Sequence, residues 1–301
     1  MEKPADAPEI LWHYTDAAGL IGMLSNEDES PTVGVVGSGT FKPVLWATAA
    51  QFLNDRRELV HGLEVVRNYI QAESTHYLNH PNTPDPATKA PFFKAVVETL
   101  GNLISGDYEP MMHCYTVSLS EEGDLLSQWR GYSGGTGGFS IGFESSAFPT
   151  SKDLFPNGRG LFKVHYTSNG DMPGDLQSAT RNFLAMNSWY PDSPEPTPQL
   201  MNQWVQRLAI YAARVKDIGF KEEREWRFIE SSETDLPDFR GGKLGLTPFR
   251  KVPLPRTAVK AVYIGPGPAQ YENYLAAKAL LRRYGYTEAA QNVECSKTPF
   301  R

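Results

Sequence analysis

Four short stretches of this 301-residue chain gather residue types able to do chemistry. The first is Phe220-Lys221-Glu222-Glu223-Arg224-Glu225-Trp226-Arg227-Phe228-Ile229. With Arg224–Ile229 as a strand, alternation puts Glu223, Glu225 and Arg227 on one face and Trp226 and Phe228 on the other. Two carboxylates on one face raise each other's proton affinity unless a cation compensates, and Arg227 is placed to do so. Such a group can stabilise developing positive charge or take a proton. The plainer reading is a solvated, salt-bridged strand. A one-residue slip exchanges the faces, so which of Glu222, Glu223 and Glu225 faces a pocket stays open.

The second stretch is His113-Cys114-Tyr115-Thr116-Val117-Ser118-Leu119-Ser120, followed by Asp124–Tyr132. As a strand it carries Cys114, Thr116, Ser118 and Ser120 on one face and Tyr115, Val117 and Leu119 on the other. A small, hydroxyl-bearing face lets a flat ligand lie close. Trp129 and Tyr132 follow at helical spacing and share a face, as a stacking surface or as core. The third is Leu11-Trp12-His13-Tyr14-Thr15-Asp16, a β-like run whose Thr15 or Asp16 can cap the next helix. Without a ligand, His13 makes a structural hydrogen bond and Tyr14 takes a half-buried seat. The fourth is Asn54-Asp55-Arg56-Arg57-Glu58, where Asp55 and Glu58 read as a capping box and Asn54 or Asp55 as an alternative ligand contact.

Around these stretches, composition sets the class. Hydrophobic residues make up 40% and charged residues 21%, which is ordinary for a globular chain and wrong for a disordered one. No apolar run approaches the roughly 20 residues that span a bilayer, and the N-terminus lacks a secretory pattern, so the expected location is cytoplasmic, with no membrane partner. Two cysteines exclude a disulfide framework or a Cys-rich zinc site, and no metal is expected. The net charge of −6 argues against broad nonspecific nucleic-acid binding while leaving room for a local basic groove.

Helices are expected at about Asp16–Leu24, Asp55–Gln71, Phe92–Ile104, Gln199–Lys216 and Ala269–Tyr284. Strands are expected at Met112–Leu119, Gly138–Phe143, Leu161–His165, Glu225–Ile229 and Val259–Ile264. The Gly134–Gly138 run reads as a hairpin turn rather than a phosphate loop, because no helix follows it. Gly265-Pro266-Gly267 reads as a turn from strand to helix, with an anion contact as the alternative.

Taken in order, His13-Tyr14-Thr15, then Leu45-Trp46-Ala47-Thr48 with Asn54-Asp55 and Glu58, then Ser118-Leu119-Ser120 with Trp129 and Tyr132, then Glu223-x-Glu225-Trp226-Arg227, resemble the bacterial "domain of unknown function 2971" family. The layout is similar, more distantly, to the ADP-ribosyltransferase superfamily. That resemblance implies one α+β domain over residues 1–301, with a split or strongly bent central β-sheet and helical insertions at about 72–104 and 178–216. It implies NAD as substrate and a macromolecular acceptor, protein or nucleic acid. It also implies a toxin or phage-defence role, and with it an antitoxin or regulatory partner.

Carried over by position, His13 bonds the adenosine-side ribose, with Tyr14 and Thr15 beside it. Ser118 or Ser120 lines the nicotinamide-ribose pocket, Tyr132 or Trp129 stacks on nicotinamide, and Arg227 joins them as a cofactor-binding residue. Glu225 is the catalytic glutamate, with Glu223 two residues before it. The Ser118-Leu119-Ser120 motif departs from a Ser-Thr-Ser triplet, and Thr15 stands where some members carry an acid. Two other readings stand beside the transferase: a module that binds a nucleotide or ADP-ribose without turnover, and a metal-dependent nuclease using Asp55, Glu58 and the Glu222–Glu225 cluster.

Overall fold

The computed structural model describes residues 6–27, 41–53, 56–79, 86–107, 113–132, 137–151, 158–168, 170–186, 197–231, 236–242 and 245–299. The N-terminal part runs β1 (Ile10–Thr15), α1 (Ala17–Leu24), β2 (Asn26–Glu27), β3 (Phe41–Lys42), β4 (Val44–Ala49), α2 (Arg56–Asn79) and α3 (Pro86–Ser105). Then come β5 (Cys114–Ser120), α4 (Leu126–Tyr132), β6 (Phe139–Glu144), β7 (Arg159–Lys163), β8 (His165–Thr167), α5 (Gly174–Met186) and α6 (Pro198–Ala212). The remainder is β9 (Val215–Asp217), a 3₁₀ turn (Ile218–Glu223), β10 (Glu225–Ser231), β11 (Asp238–Gly242) and β12 (Gly245–Pro253). It closes with β13 (Val259–Ile264), α7 (Gln270–Arg283), α8 (Thr287–Gln291) and β14 (Val293–Cys295).

A 10-stranded mixed sheet organises the chain, and it forks at β5. Along one edge β5 pairs with β10 over its whole length, and β10 pairs in turn with β7. Its other edge is shared. β4 pairs with its first half through Thr48↔Thr116 and Ala49↔Tyr115, and leads on to β12 and β11. β1 meets only its last residue, Trp12↔Ser120, and leads on to β6, β13 and β14. Between these junctions, over Val117–Leu119, neither neighbour pairs with β5, so the sheet is split there. Of the expected α+β domain with a split or strongly bent sheet, the chain shows the mixed α+β class and a large open sheet, interrupted beside β5.

Each face of the sheet covers a hydrophobic core. Tyr115, Val117, Leu119, Trp226 and Phe228 join α1, α7 and α8 in one cluster. Cys114 and Ile229 join α2, α3 and α6 in the other. The alternation expected for residues 114–120 therefore holds, because a central strand pressed on both sides can be satisfied only if each face meets its own partner.

Several expectations needed correcting. Glu223 is not on the strand: the 3₁₀ turn ends there, Arg224 sits in the left-handed region at φ 45°, and β10 starts at Glu225. The turn expected at Gly134–Gly138 falls largely on 133–136, which lie outside the described residues; α4 ends before it at Tyr132 and β6 begins after it at Phe139. α6 stops at Ala212 because Val215–Asp217 is drawn into a parallel pair with β8. α2 continues to Asn79 and α3 starts at Pro86, at whose first turn proline is tolerated. Strands β4, β11 and β12 were not expected. Among the described residues no helix is long and apolar enough to cross a membrane.

Candidate functional site

Register places one polar row across the sheet. Residues paired across strands share a face, as do residues two apart along a strand. Arg240 pairs with Thr247, Phe249 pairs with Thr48, Thr48 pairs with Thr116, and on β10 Arg227 and Glu225 pair with Ser118 and Ser120. These side chains therefore look to one side over β11, β12, β4, β5 and β10. Above them, where the sheet splits, lies a cleft of about 480 Å³, in the range of small-molecule sites. Its wall includes His13, Tyr14, Thr15, Ser118, Tyr132 and Glu225, residues taken from three separate sequence stretches. A narrow recess continues from it past Ser120, Gln128 and Glu223.

At the inner end lies a buried ion network. Arg227 donates from Nε to Glu225 Oε1 at 2.6 Å and from Nη2 to Glu225 Oε2 at 3.0 Å, and Nη2 also reaches Glu58 at 2.7 Å. Its Nη1 donates to the Ala213 carbonyl at 2.9 Å. Lys216 stands among three carboxylates, 3.0 Å from Glu58, 2.5 Å from Glu223 and 3.1 Å from Glu225. Three carboxylates against two cations leave one formal negative charge in a place nearly closed to water.

Burial by itself would raise the proton affinity of Glu225. The Arg227 guanidinium and the Lys216 ammonium outweigh it and hold this carboxyl at about 2, with a contribution from the Ser118 hydroxyl. Glu223 goes the other way: burial pushes it above the ordinary carboxylate value, and the charges of Glu225 and Glu58 add to this against the pull of Lys216. Neighbouring glutamates thus differ in basicity because one sits between two cations and the other touches one. The backbone N–H of Glu225 is held by the Tyr166 hydroxyl at 2.7 Å, which fixes the start of β10.

His13 depends on the split. Nothing on β1 or β4 pairs with the middle of β5, and the Ser118 carbonyl lies 2.9 Å from His13 Nδ1. A carbonyl only accepts, so Nδ1 carries the proton. Burial lowers the basicity of the ring, which keeps it neutral and leaves a lone pair on Nε2 at the cleft. Thr15 lines the same wall, and Asp16 caps α1 by accepting from the Gly19 amide at 2.7 Å.

Other expected site residues have structural duties. The Tyr14 hydroxyl donates to the Glu122 carbonyl at 2.7 Å and accepts from the Leu125 amide at 2.9 Å, so it is engaged by backbone although the residue lines the cleft. Ser120 donates to the Glu223 carbonyl at 2.8 Å and accepts from the Glu122 amide at 3.1 Å. Trp129 is buried: its Nε1 donates to Asp124, its ring meets Tyr14 edge-on at 4.7 Å, and it lies so close to Gly265 that a methyl there would come within 2.8 Å. Of the two aromatics offered for stacking, Tyr132 alone lines the cleft, 36% exposed. Arg227 is 1% exposed and orients Glu225 from beneath, outside the cleft wall. Glu222 is exposed and joins neither group, while Asn54 and Asp55 lie outside the described residues.

Sequence reasoning missed Lys216, because its lone position at the end of an expected helix carries no motif. It also missed Arg240, Trp46 and Thr48 as wall residues, since their meeting depends on strand pairing over nearly two hundred positions.

No curated protein and no solved structure matches the chain. Residues 128–228 match a family model described as "Protein of unknown function (DUF2971)", a stretch running from α4 through the Glu225–Arg227 strand. Tyr132, Lys216, Glu223 and Glu225 all lie inside the matched stretch.

Proposed function

We propose that this protein is an NAD-dependent ADP-ribosyltransferase that modifies a macromolecular acceptor, protein or nucleic acid. The observation that carries the reading is Glu225: an ionised carboxylate, fixed by Arg227 and Lys216, at the end of a cleft that also holds His13, Ser118 and Tyr132. Breaking the bond from nicotinamide to the ribose builds positive charge at the anomeric carbon, as in glycoside hydrolysis. The electron pair leaves on the nicotinamide nitrogen. A carboxylate already oriented and desolvated stabilises that charge with no reorganisation at the moment of reaction.

His13 Nε2 accepts from a ribose hydroxyl, and Tyr132 gives nicotinamide a flat face. The acceptor's nucleophile then bonds to the anomeric carbon and gives up its proton. The reading gives that proton to Glu223, the more basic of the two glutamates, which lines the recess leading from the cleft. The toxin or phage-defence role, with an antitoxin or regulatory partner, extends this reading and rests on the superfamily resemblance.

A module that binds NAD or ADP-ribose without turnover is the second reading. It is favoured by the fact that Glu225 already accepts three N–H donors from Arg227 and Lys216. A metal-dependent nuclease is disfavoured, since the Lys216 ammonium occupies the point on which Glu58, Glu223 and Glu225 converge.

Nicotinamide release from NAD by purified protein, with cell extract as a source of acceptor, separates the two. Glu225→Gln, assayed below its own Tm with folding checked by circular dichroism, slows release by about 10²–10³ if the transferase reading holds. Wild-type rates in that variant would end it, and tight NAD binding without release would establish the binding module.

A further inference from the structure

Arg240 is an unusual wall residue. Its guanidinium carbon lies 4.9 Å from the centre of the Trp46 ring and 5.4 Å from that of Phe249, so two aromatic rings hold it in place. A guanidinium has five N–H donors, and among the described residues Arg240 gives one hydrogen bond, Nη2 to Thr48 Oγ1 at 2.9 Å. Among the described residues it also has no carboxylate within ion-pair distance. The acid nearest in effect, Asp16, is engaged at the N-terminus of α1 by the Gly19 amide.

A second observation points to the same place. Thr116 is 2% exposed, lines this cleft, and among the described residues its hydroxyl has no hydrogen-bond partner. A buried hydroxyl without a partner is costly unless something else reaches it. Thr116 is the cross-strand partner of Thr48, so the orphaned hydroxyl and the bonded one stand side by side under Arg240. Thr247, the partner of Arg240, completes a row of hydroxyls on the same cleft wall.

We infer that Arg240, with Thr48 and Thr116, forms a phosphate subsite that takes the diphosphate of a nucleotide. An arginine with spare donors in a half-enclosed cleft matches phosphoryl oxygens, and flanking hydroxyls supply the shorter bonds. A chain with net charge −6 has no general attraction for such an anion, so the specificity is local. The inference rests on the transferase reading for the identity of the nucleotide. The phosphate contact itself can be tested without any turnover.

The test is calorimetric binding of ADP, adenosine and inorganic pyrophosphate to the full chain, for wild type, Arg240→Gln and Thr116→Val. Wild type binds ADP well above adenosine, and pyrophosphate competes. Arg240→Gln loses about 10- to 100-fold in ADP affinity with adenosine unchanged, the usual worth of a charged hydrogen-bonding contact. Thr116→Val, which keeps the side-chain shape and removes the hydroxyl, loses about 5-fold and serves if Arg240→Gln does not fold. Equal ADP affinity in a folded Arg240→Gln, or ADP no tighter than adenosine, overturns the subsite. Arg240-dependent ADP binding without nicotinamide release leaves the subsite standing and removes the transferase. Release with an unchanged KM in Arg240→Gln does the reverse.

Discussion

Replacing Lys216 by Met tests the inner network most directly. The substitution keeps the length of the side chain and removes an ammonium that lies 2.5–3.1 Å from Glu58, Glu223 and Glu225. Arg227 is then left with all three carboxylates in a place where Lys216 is only 3% exposed. Deleting one partner of a buried ion pair costs about 3–5 kcal/mol, because the remaining charge loses its compensation. For a chain of this size that lowers Tm by roughly 5–8 °C.

The pH dependence gives the sign. In the wild type Glu225 is held at about 2, below its usual 4.5, so its contribution to stability is complete above about pH 4.5 and is lost as pH falls toward 2. Glu223 is raised, so it favours the folded state in acid, and that contribution is lost as pH climbs through its folded value. Without the ammonium both glutamates take up protons more readily. The penalty in Lys216→Met is therefore largest near pH 8 and smaller near pH 5. Thermal unfolding followed by circular dichroism at both values reads it out, with Lys216→Arg as the variant that keeps the charge. A penalty equal at the two pH values, or one shared fully by Lys216→Arg, would refute the argument that charge compensation holds this network together.

The two aromatics of α4 should separate cleanly. Tyr132→Ala removes a cleft-wall ring and weakens nucleotide binding by about 1–3 kcal/mol while leaving Tm nearly unchanged. Trp129→Ala empties a core position and costs about 3–5 kcal/mol of stability, measured by urea unfolding. Gly22→Ala runs against the rule that alanine stabilises a helix interior. Its methyl would come within 2.4 Å of the Trp46 ring, so about 1–3 kcal/mol of stability is lost, and ADP affinity falls as Trp46 shifts under Arg240.

Much of the central site was legible because strand alternation is local. Thr116 and Ser118 on one face and Tyr115, Val117 and Leu119 on the other follow from period two alone, and so does the pairing of Glu225 with Arg227. Glu223 was misplaced on the strand because nothing in Glu222-Glu223-Arg224 announces a left-handed arginine, a conformation that side chains other than glycine seldom take. It reaches Lys216 all the same, from a turn. Trp129 and Tyr132 could not be told apart by spacing, since both readings put aromatics three apart on a helix; only the neighbours Tyr14, Asp124 and Gly265 decide for core. Lys216 and Arg240 were illegible in principle, because their roles arise from long-range pairing of β8 with β9 and of β11 with β12 and β4.

The split in the sheet and the fixing of Glu225 are two sides of one arrangement. A slip of one residue in β10 would turn Glu225 away from Arg227's partners and into the opposite core. β10 is protected from that by being paired on both edges, with β5 across Glu225–Ser231 and with β7 across Trp226–Glu230. The Val164 amide bonds the Glu225 carbonyl and the Tyr166 hydroxyl takes its N–H, so the strand is anchored where β7 ends. On its far edge β5 does the opposite: among the described residues Val117–Leu119 have no backbone pairing on that side. That freedom lets His13 bond the Ser118 carbonyl and opens the cleft beside it. Closing the gap with regular pairing would remove the His13 contact and fill the cleft with backbone. The sheet is thus continuous where the site needs rigidity and interrupted where it needs room.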